Sequence, residues 1–252
     1  HILKGYTKQE ISWMMYDWAN SAHSVIIVTL LPIFFDTVAG YTADSVSSMS
    51  TWGYATSIAM LIVALAAPFL GVFGDIRGMR KKLFSFFMLL GVAACAGMAF
   101  TPGMNFTSGP VAAGKVASLI LVLYIVSVIG FDASAIYYDA FLTDVTTEDR
   151  MDKVSTMGYG LGYIGGSTIP LLIFLIMNLV GVPMLTCLAF VFGLTAVWWL
   201  AFSLPLLKNC EQTSGKPYEK GDVARSIKGV GTTIKEIIAN KPMLIYILSY
   251  FF

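Results

Sequence analysis

The chain has 252 residues, of which 57% are hydrophobic and only 12% are charged, against about 25% charged residues in ordinary soluble domains. So few charges cannot cover the surface of a soluble domain, and the mean hydropathy of +0.75 favours a membrane protein. A formal net charge of +1, without basic residues interleaved with aromatic ones, argues against nucleic-acid binding. Three cysteines and two histidines form neither a disulfide framework nor a metal site, so we expect no cofactor and no metal ion.

Five stretches without Asp, Glu, Lys or Arg predict six membrane-spanning helices. A helix needs about 20 mostly apolar residues to cross a bilayer. Four of the stretches each hold most of one span, and the fifth, 154–207, holds two, divided at Gly181. The predicted spans are, in chain order, 11–35, 51–74, 83–101, 116–141, 154–180 and 184–206.

These spans predict an all-α, polytopic transmembrane helix bundle. Residues 1–206 form its six helices, residues 207–241 a cytoplasmic linker with an amphipathic helix, and residues 242–252 the start of a seventh span. The chain begins with His1 rather than Met and ends soon after its seventh apolar run begins. We therefore expect a fragment of a longer protein, with a natural half-length chain as the alternative.

The positions of Lys and Arg predict the orientation. With six spans, one side receives the amino terminus and the segments 75–82, 142–153 and 207–241. That side holds every Lys and Arg of the chain except Lys115. Because cytoplasmic loops carry an excess of basic residues, the amino terminus is expected to be cytoplasmic.

The long polar segment after the sixth span has two parts. Residues 208–221 are expected to be a flexible linker. Beyond them, Val223, Ile227, Ile234 and Ile238 recur at helical spacing, with basic residues on the rest of the circumference. This pattern predicts a helix that either lies in the membrane interface or packs on the cytoplasmic face of the bundle.

The glycines of the fifth predicted span recur at Gly158, Gly162 and Gly166. A small residue at every fourth position lets the backbones of two membrane helices approach closely. We therefore expect this stripe to pack against another helix.

The loop between the second and third predicted spans carries the sharpest motif. Residues 71–81 read Gly-Val-Phe-Gly-Asp-Ile-Arg-Gly-Met-Arg-Lys. Glycines permit a tight turn, and an acid at a helix end can pair with nearby basic residues or with the positive end of another helix. The alternative interpretation is an ordinary charged turn.

This spacing resembles the signature loop of the major facilitator superfamily, with a departure at Ile76, where that family often has Arg. In the family the loop latches the two halves of a transporter and governs switching between states. The resemblance thus implies a conformational-switch loop of Gly71, Asp75, Arg77, Gly78, Arg80 and Lys81.

Two further stretches make the chain similar to the vacuole-effluxer branch of the superfamily, which includes the yeast autophagy-related vacuolar amino-acid effluxers. Residues 16–22 read Tyr-Asp-Trp-Ala-Asn-Ser-Ala, and residues 141–166 join the fourth span to a glycine-rich fifth span. Departures occur at His23 and Asp139. The resemblance implies two six-helix halves around a central cavity, of which this chain is the amino-terminal one.

In this superfamily the first and fourth spans line the cavity, so polar residues there are the candidates for binding substrate or protons. An ionised Asp near the bilayer centre costs roughly 2.5–3.5 kcal/mol, so it is seldom retained without a partner or a water-filled cavity. The alternative is that Asp17 and Asp139 brace helix ends, and that His23 only bonds a neighbouring helix. The candidates are Asp17, Asn20, His23, Asp132, Tyr138 and Asp139.

These observations favour a secondary transporter of a small polar metabolite, with an amino acid as first candidate and protons as candidate coupling ions. A membrane enzyme would need a cluster of metal ligands or an activated nucleophile, and the sequence shows neither. A non-transporting receptor or scaffold on the same fold is the alternative. The expected partners are the lipid bilayer, the substrate and the missing second half, with no nucleic acid. By the resemblance we expect a multi-pass protein of a bacterial cytoplasmic membrane.

Overall fold

The computed structural model describes residues 3–42, 48–217 and 221–249, most of which are helical. Six helical segments are long and apolar enough to cross a membrane, which confirms the predicted all-α bundle. The elements are α1 Lys8–Ala39, α2 Ser48–Gly74, α3 Arg80–Met98, α4 Pro110–Val145, α5 Met151–Leu161, α6 Thr168–Leu179, α7 Met184–Asn209, α8 Asp222–Ala239 and α9 Lys241–Ser249. The fifth span consists of α5 and α6, joined by a π-helical turn, Gly162–Ser167.

The helices extend beyond the apolar stretches that revealed them. Thr7 caps α1, because its hydroxyl accepts from the backbone N–H of Glu10 at 3.1 Å while the Glu10 carboxylate accepts from the Thr7 N–H at 2.8 Å. This capping box satisfies two backbone donors at the helix start, so α1 begins ahead of the predicted span. Similarly, α4 begins at Pro110, whose fixed φ suits a first helical turn, and it takes in Lys115.

Helix α1 is the centre of the bundle and contacts α4, the fifth span and α7. Its side chains Trp13, Tyr16 and Phe34 are buried, as is Trp199 of α7. By contrast, α2 exposes half of its apolar side chains, including Leu65 at 65%. In a bilayer such a surface faces lipid tails or other helices, and close packing rather than water exclusion holds the helices together.

Glycines set the closest approaches between helices. A Cβ on Gly130 of α4 would lie 2.5 Å from the backbone nitrogen of Gly91 in α3. In the fifth span a Cβ on Gly166 would lie 2.3 Å from the carbonyl oxygen of Trp18, and one on Gly162 would lie 2.6 Å from Ser21 Oγ. The predicted packing role of the glycine stripe is therefore confirmed, and its partner is α1.

The segment after α7 differs in part from the prediction of a flexible linker. Residues 212–217 lie against the loop that joins α2 to α3. The N–H of Arg77 donates to the Lys216 carbonyl at 3.0 Å, and the Lys216 N–H donates to the Asp75 carbonyl at 3.2 Å. We call residues 212–217 the strap. The prediction missed its contacts because long-range hydrogen bonds leave no periodic pattern in the sequence.

Helix α8 coincides with the predicted amphipathic helix and contacts α2 and α9. Ile238, on its predicted apolar face, is exposed. The side chains of Val223, Ile227 and Ile234 lie outside the described residues, and so do residues 250–252 of the predicted seventh span. Whether α8 lies in the membrane interface therefore stays a prediction.

Candidate functional site

A seam of hydrogen bonds joins α1 to α4 through the middle of the bundle. Tyr16 Oη lies 2.8 Å from Ser134 Oγ, and His23 Nε2 lies 3.1 Å from Ser127 Oγ. Trp13 Nε1 donates to the carbonyl oxygen of Tyr138 at 2.9 Å. The partners follow one another in opposite chain directions, so α1 and α4 run antiparallel, as the spans require.

Asp17 lies at the edge of this seam and is half-buried. Tyr138 donates its hydroxyl hydrogen to Asp17 Oδ2 at 2.9 Å, and the Tyr138 ring stacks on Trp13 with centroids 4.3 Å apart. Among the described residues, no group donates to the other carboxylate oxygen of Asp17, and no cation pairs with it. The tyrosine thus orients a carboxylate that keeps one oxygen available.

Two of the predicted site residues on α4 lie on the less buried part of that helix. Asp139 is exposed and Asp132 is half-buried, and neither is ion-paired or hydrogen-bonded within 3–42, 48–217 and 221–249. Asp139 directly follows Tyr138, whose hydroxyl donates to Asp17. The structure thus brings Asp17, Tyr138 and Asp139 together.

Asn20 and His23 face the inside of the helical bundle instead. Asn20 is 8% exposed and His23 is 2% exposed. The imidazole stacks on Phe131 with centroids 4.8 Å apart, and its Nδ1 has no hydrogen-bond partner in the described part of the chain. This geometry matches a histidine that joins two helices.

Sequence reasoning missed two tyrosines of the fifth span, which packs against α1 at Asp17. Tyr159 and Tyr163 are 63% and 59% exposed, and their hydroxyl oxygens are 3.1 Å apart. Their neighbour Gly158 packs so closely that an added Cβ would lie 2.7 Å from Asp17 Oδ2. The spacing of two aromatic residues four positions apart was the available signal.

The predicted conformational-switch loop turns the chain from α2 into α3. Gly78 has φ +80°, a left-handed conformation that favours glycine, and it turns the chain into α3. Asp75 has an 82% exposed side chain, and its carboxylate lies 3.7 Å from the Arg80 guanidinium. Gly71 has open space around it. Asp75 thus pairs with Arg80 while most of its side chain stays exposed.

Arg80 connects this loop to α4 and to the strap. Its buried guanidinium forms an ion pair with Asp144 and donates to the Ala140 carbonyl at 2.9 Å. The other oxygen of Asp144 accepts from the backbone N–H of Thr213 and of Ser214, at 3.1 and 2.9 Å, and from both hydroxyls.

Gln212 completes the connection between the strap and the loop. Its side-chain oxygen accepts from the Gly78 N–H at 2.8 Å and from the Arg80 N–H at 3.3 Å, while its amide nitrogen donates to the Gly74 carbonyl at 3.0 Å. One side chain thereby bonds both the end of α2 and the start of α3.

Glu10 makes a second polar connection at the same end of the bundle. Its carboxylate accepts from Arg150 Nε and Nη2, both at 2.8 Å, and from the Thr146 hydroxyl at 2.7 Å. These bonds fix the start of α1 to the connection between α4 and α5. The capping-box spacing of Thr7 and Glu10 signalled the helix start, but not this partner.

Comparison with known proteins places these residues in a family. The model of the vacuole effluxer Atg22-like family matches residues 38–252. An uncharacterised MFS-type transporter of Bacillus subtilis (strain 168), YxiO, is 38% identical over 259 aligned residues, which cover 100% of this chain and 58% of that protein. The chain therefore spans less than two thirds of the length of this relative. No solved structure matches it significantly.

Proposed function

Because the chain belongs to the vacuole effluxer Atg22-like family of the major facilitator superfamily, we propose that the protein containing it is a secondary transporter. It moves a small polar metabolite, with an amino acid as first candidate, across a membrane by alternating access. This chain supplies the amino-terminal half, and a second half completes the cavity and supplies the partner of Asp75. Transporters of this kind place their binding site near the bilayer midplane, between the two halves.

The observation that carries the proposal is a set of three carboxylates, within the predicted first and fourth spans or at their edge, that have no basic partner. Asp17, Asp132 and Asp139 lie within membrane-spanning helices, and none forms an ion pair with another described residue. Ionisable residues in membrane spans are costly and usually face a water-filled cavity or a substrate pathway. The three carboxylates are thus the groups that would bind substrate or protons.

Proton coupling is the finer part of the proposal. A carboxylate that faces a cavity can take up a proton on one side of the membrane and release it on the other. Asp132 and Asp139 are suited to this role because neither is committed to a bond within the described chain. Asp17 is already oriented by Tyr138, which favours a role in binding substrate.

The protein is an integral, multi-pass membrane protein, and we place it in the bacterial cytoplasmic membrane with its amino terminus inside. The support is the distribution of Lys and Arg, all of which except Lys115 fall on one side of the predicted bundle. An epitope tag at the amino terminus should be detected only after cells are permeabilised. Detection in intact cells would reverse this orientation.

The test uses the full-length protein, purified in detergent and screened for thermal stabilisation by amino acids and other small metabolites at an acidic and an alkaline pH. We expect at least one compound to raise the melting temperature in a pH-dependent manner. That stabilisation should be lost in Asp132→Asn or Asp139→Asn and kept in the control Asp152→Asn, which alters an exposed carboxylate on α5.

Two other outcomes of this screen would count against proton coupling or against transport itself. Stabilisation that is indifferent to pH and to both α4 variants would disprove proton coupling through these carboxylates. If no compound stabilises the protein at either pH, the alternative of a non-transporting receptor or scaffold gains support.

A further inference from the structure

Two tyrosines of the fifth span form an exposed pair, which belongs neither to the switch loop nor to the α1–α4 seam. The rings of Tyr159 and Tyr163 meet edge to face, with centroids 4.9 Å apart at 70°. Their hydroxyls are also in contact, at 3.1 Å. Each ring is more than half exposed, so the pair presents aromatic surface outside the core of this half.

This pair follows Gly158, the residue of the fifth span that packs on the Asp17 carboxylate. A Cβ on Gly158 would lie 2.7 Å from Asp17 Oδ2, and Tyr159 is the next residue along α5. On the other side, Tyr138 holds Oδ2 and leaves Oδ1 without a donor among the described residues. A carboxylate fixed by a tyrosine and two exposed aromatic rings therefore lie where α1 meets the fifth span.

The backbone beside this face is irregular. The π-helical turn Gly162–Ser167 joins α5 to α6 and includes Tyr163. The turn accommodates Trp18, whose ring would lie 1.9 Å from a Cβ on Gly165. Single π-helical turns are uncommon and occur frequently at functional sites.

The charged residues near this face are acidic. Asp17 accepts from Tyr138, which Asp139 follows along α4, and the stretches 18–35, 116–131 and 154–207 contain neither Lys nor Arg. The nearest basic side chain of α5, Lys153, lies over the Tyr6 ring, 5.2 Å from its centroid. A ligand group of positive charge is favoured there, and aromatic faces attract ammonium groups in particular.

We infer that Asp17, Tyr159 and Tyr163 bind the ammonium group of the transported compound, the carboxylate by a charge-assisted hydrogen bond and the rings by cation–π contact. The inference rests on the proposed transport function and adds to it the part of the substrate that this half recognises. It assigns a binding role to both tyrosines and places Asp17 at the substrate rather than at a helix end.

The experiment uses matched triples of compounds on the full-length protein in detergent. Each triple contains an L-amino acid, the amine that lacks its carboxylate and the acid that lacks its ammonium group, such as phenylalanine, phenethylamine and 3-phenylpropionate. Dissociation constants are measured for wild type, Asp17→Asn, Tyr159→Leu/Tyr163→Leu and Tyr159→Phe/Tyr163→Phe. The control is Tyr54→Leu, which alters a similarly exposed tyrosine on α2.

We expect the amino acid and the amine of at least one triple to bind and the acid not to bind. Asp17→Asn and the double leucine variant should each raise the dissociation constant at least tenfold. The double phenylalanine variant keeps both rings and should stay within about threefold of wild type, as should Tyr54→Leu. Because both tyrosines are exposed, their variants test the site even if Asp17→Asn fails to fold.

Two results would overturn the inference. One is that only the acids bind, or that no member of any triple binds. The other is a bound compound whose affinity is unchanged in Asp17→Asn and in the double leucine variant. Uptake of that compound into liposomes then tests the proposed function separately. Uptake that is indifferent to these variants leaves transport standing without the ammonium site, whereas Asp17-dependent binding without uptake leaves the site standing without transport.

Discussion

Glu10 shows how one residue can combine a helix cap with a long-range ion pair. Its carboxylate is 1% exposed, yet it accepts hydrogen bonds from Thr7, Thr146 and Arg150. A buried carboxylate is tolerated when its lone pairs are filled and a cation is near. Here the bonds connect the first turn of α1 to the beginning of the fifth span, 140 residues along the chain.

Replacing this carboxylate tests its contribution to stability. Glu10→Gln keeps the volume but removes the charge, so Arg150, with a side chain 32% exposed, loses its bidentate partner. Hydrogen bonds to charged groups are stronger than neutral ones, although solvent screening at the partly exposed Arg150 reduces the loss of stability. The melting temperature in detergent should fall by several degrees. Glu148→Gln, an exposed neighbour, is the control, and an equal fall in both variants would contradict this role.

The candidate site illustrates what residue type alone can predict. Acids within apolar stretches stand out, so Asp17, Asp132 and Asp139 were found from the sequence. Tyr159 and Tyr163 were not, since a tyrosine in a membrane span is as often core as surface. Only the packing of Gly158 against Asp17 shows that this part of the fifth span lies beside the carboxylate.

At the scale of elements, the sequence predicted the six spans to within a few residues because bilayer thickness fixes the length of an apolar helix. It did not predict the capped and polar turns that lengthen α1 and α4, since these lie outside the apolar stretches. The π-helical turn was also missed. It depends on how Trp18 fits against Gly165, a contact between distant parts of the chain.

The strap is the element that the sequence described least well. Gln212, Thr213 and Ser214 look like linker residues, and their composition is that of a loop. Their partners are the loop between α2 and α3 and Asp144 of α4, more than sixty residues away. Through these bonds the strap holds the switch loop in the conformation that the structure shows.

Removing one side chain should loosen that loop measurably. In Gln212→Ala the N–H groups of Gly78 and Arg80 lose their acceptor. One hydrogen bond is worth about 1 kcal/mol, so amide exchange in the peptide 75–80 should accelerate about fivefold. Hydrogen–deuterium exchange with mass spectrometry measures this on the full-length protein. Glu211→Ala, an exposed neighbour, should leave the exchange unchanged, and equal rates in wild type and Gln212→Ala would show that the strap does not hold the loop.

At the scale of the whole molecule, we propose that this chain is one of the two six-helix halves of a transporter. Asp75 is exposed at one end of the bundle, and the carboxylates of α1 and α4, with the tyrosine pair, lie on less buried surface. In an alternating-access transporter a second half would face these groups, and rocking of the halves would expose the site to either side in turn. A receptor or scaffold on the same fold would need the binding face but not the rocking.

Solute counterflow distinguishes these two possibilities most directly. Liposomes containing the full-length protein are loaded with an unlabelled compound that binds it, diluted into a trace of the labelled compound without any ion gradient, and followed for label uptake. The account predicts a transient accumulation of label above equilibrium that is strongly reduced in Asp17→Asn and kept in Tyr54→Leu. Binding of the compound with no accumulation in wild type would contradict the carrier mechanism.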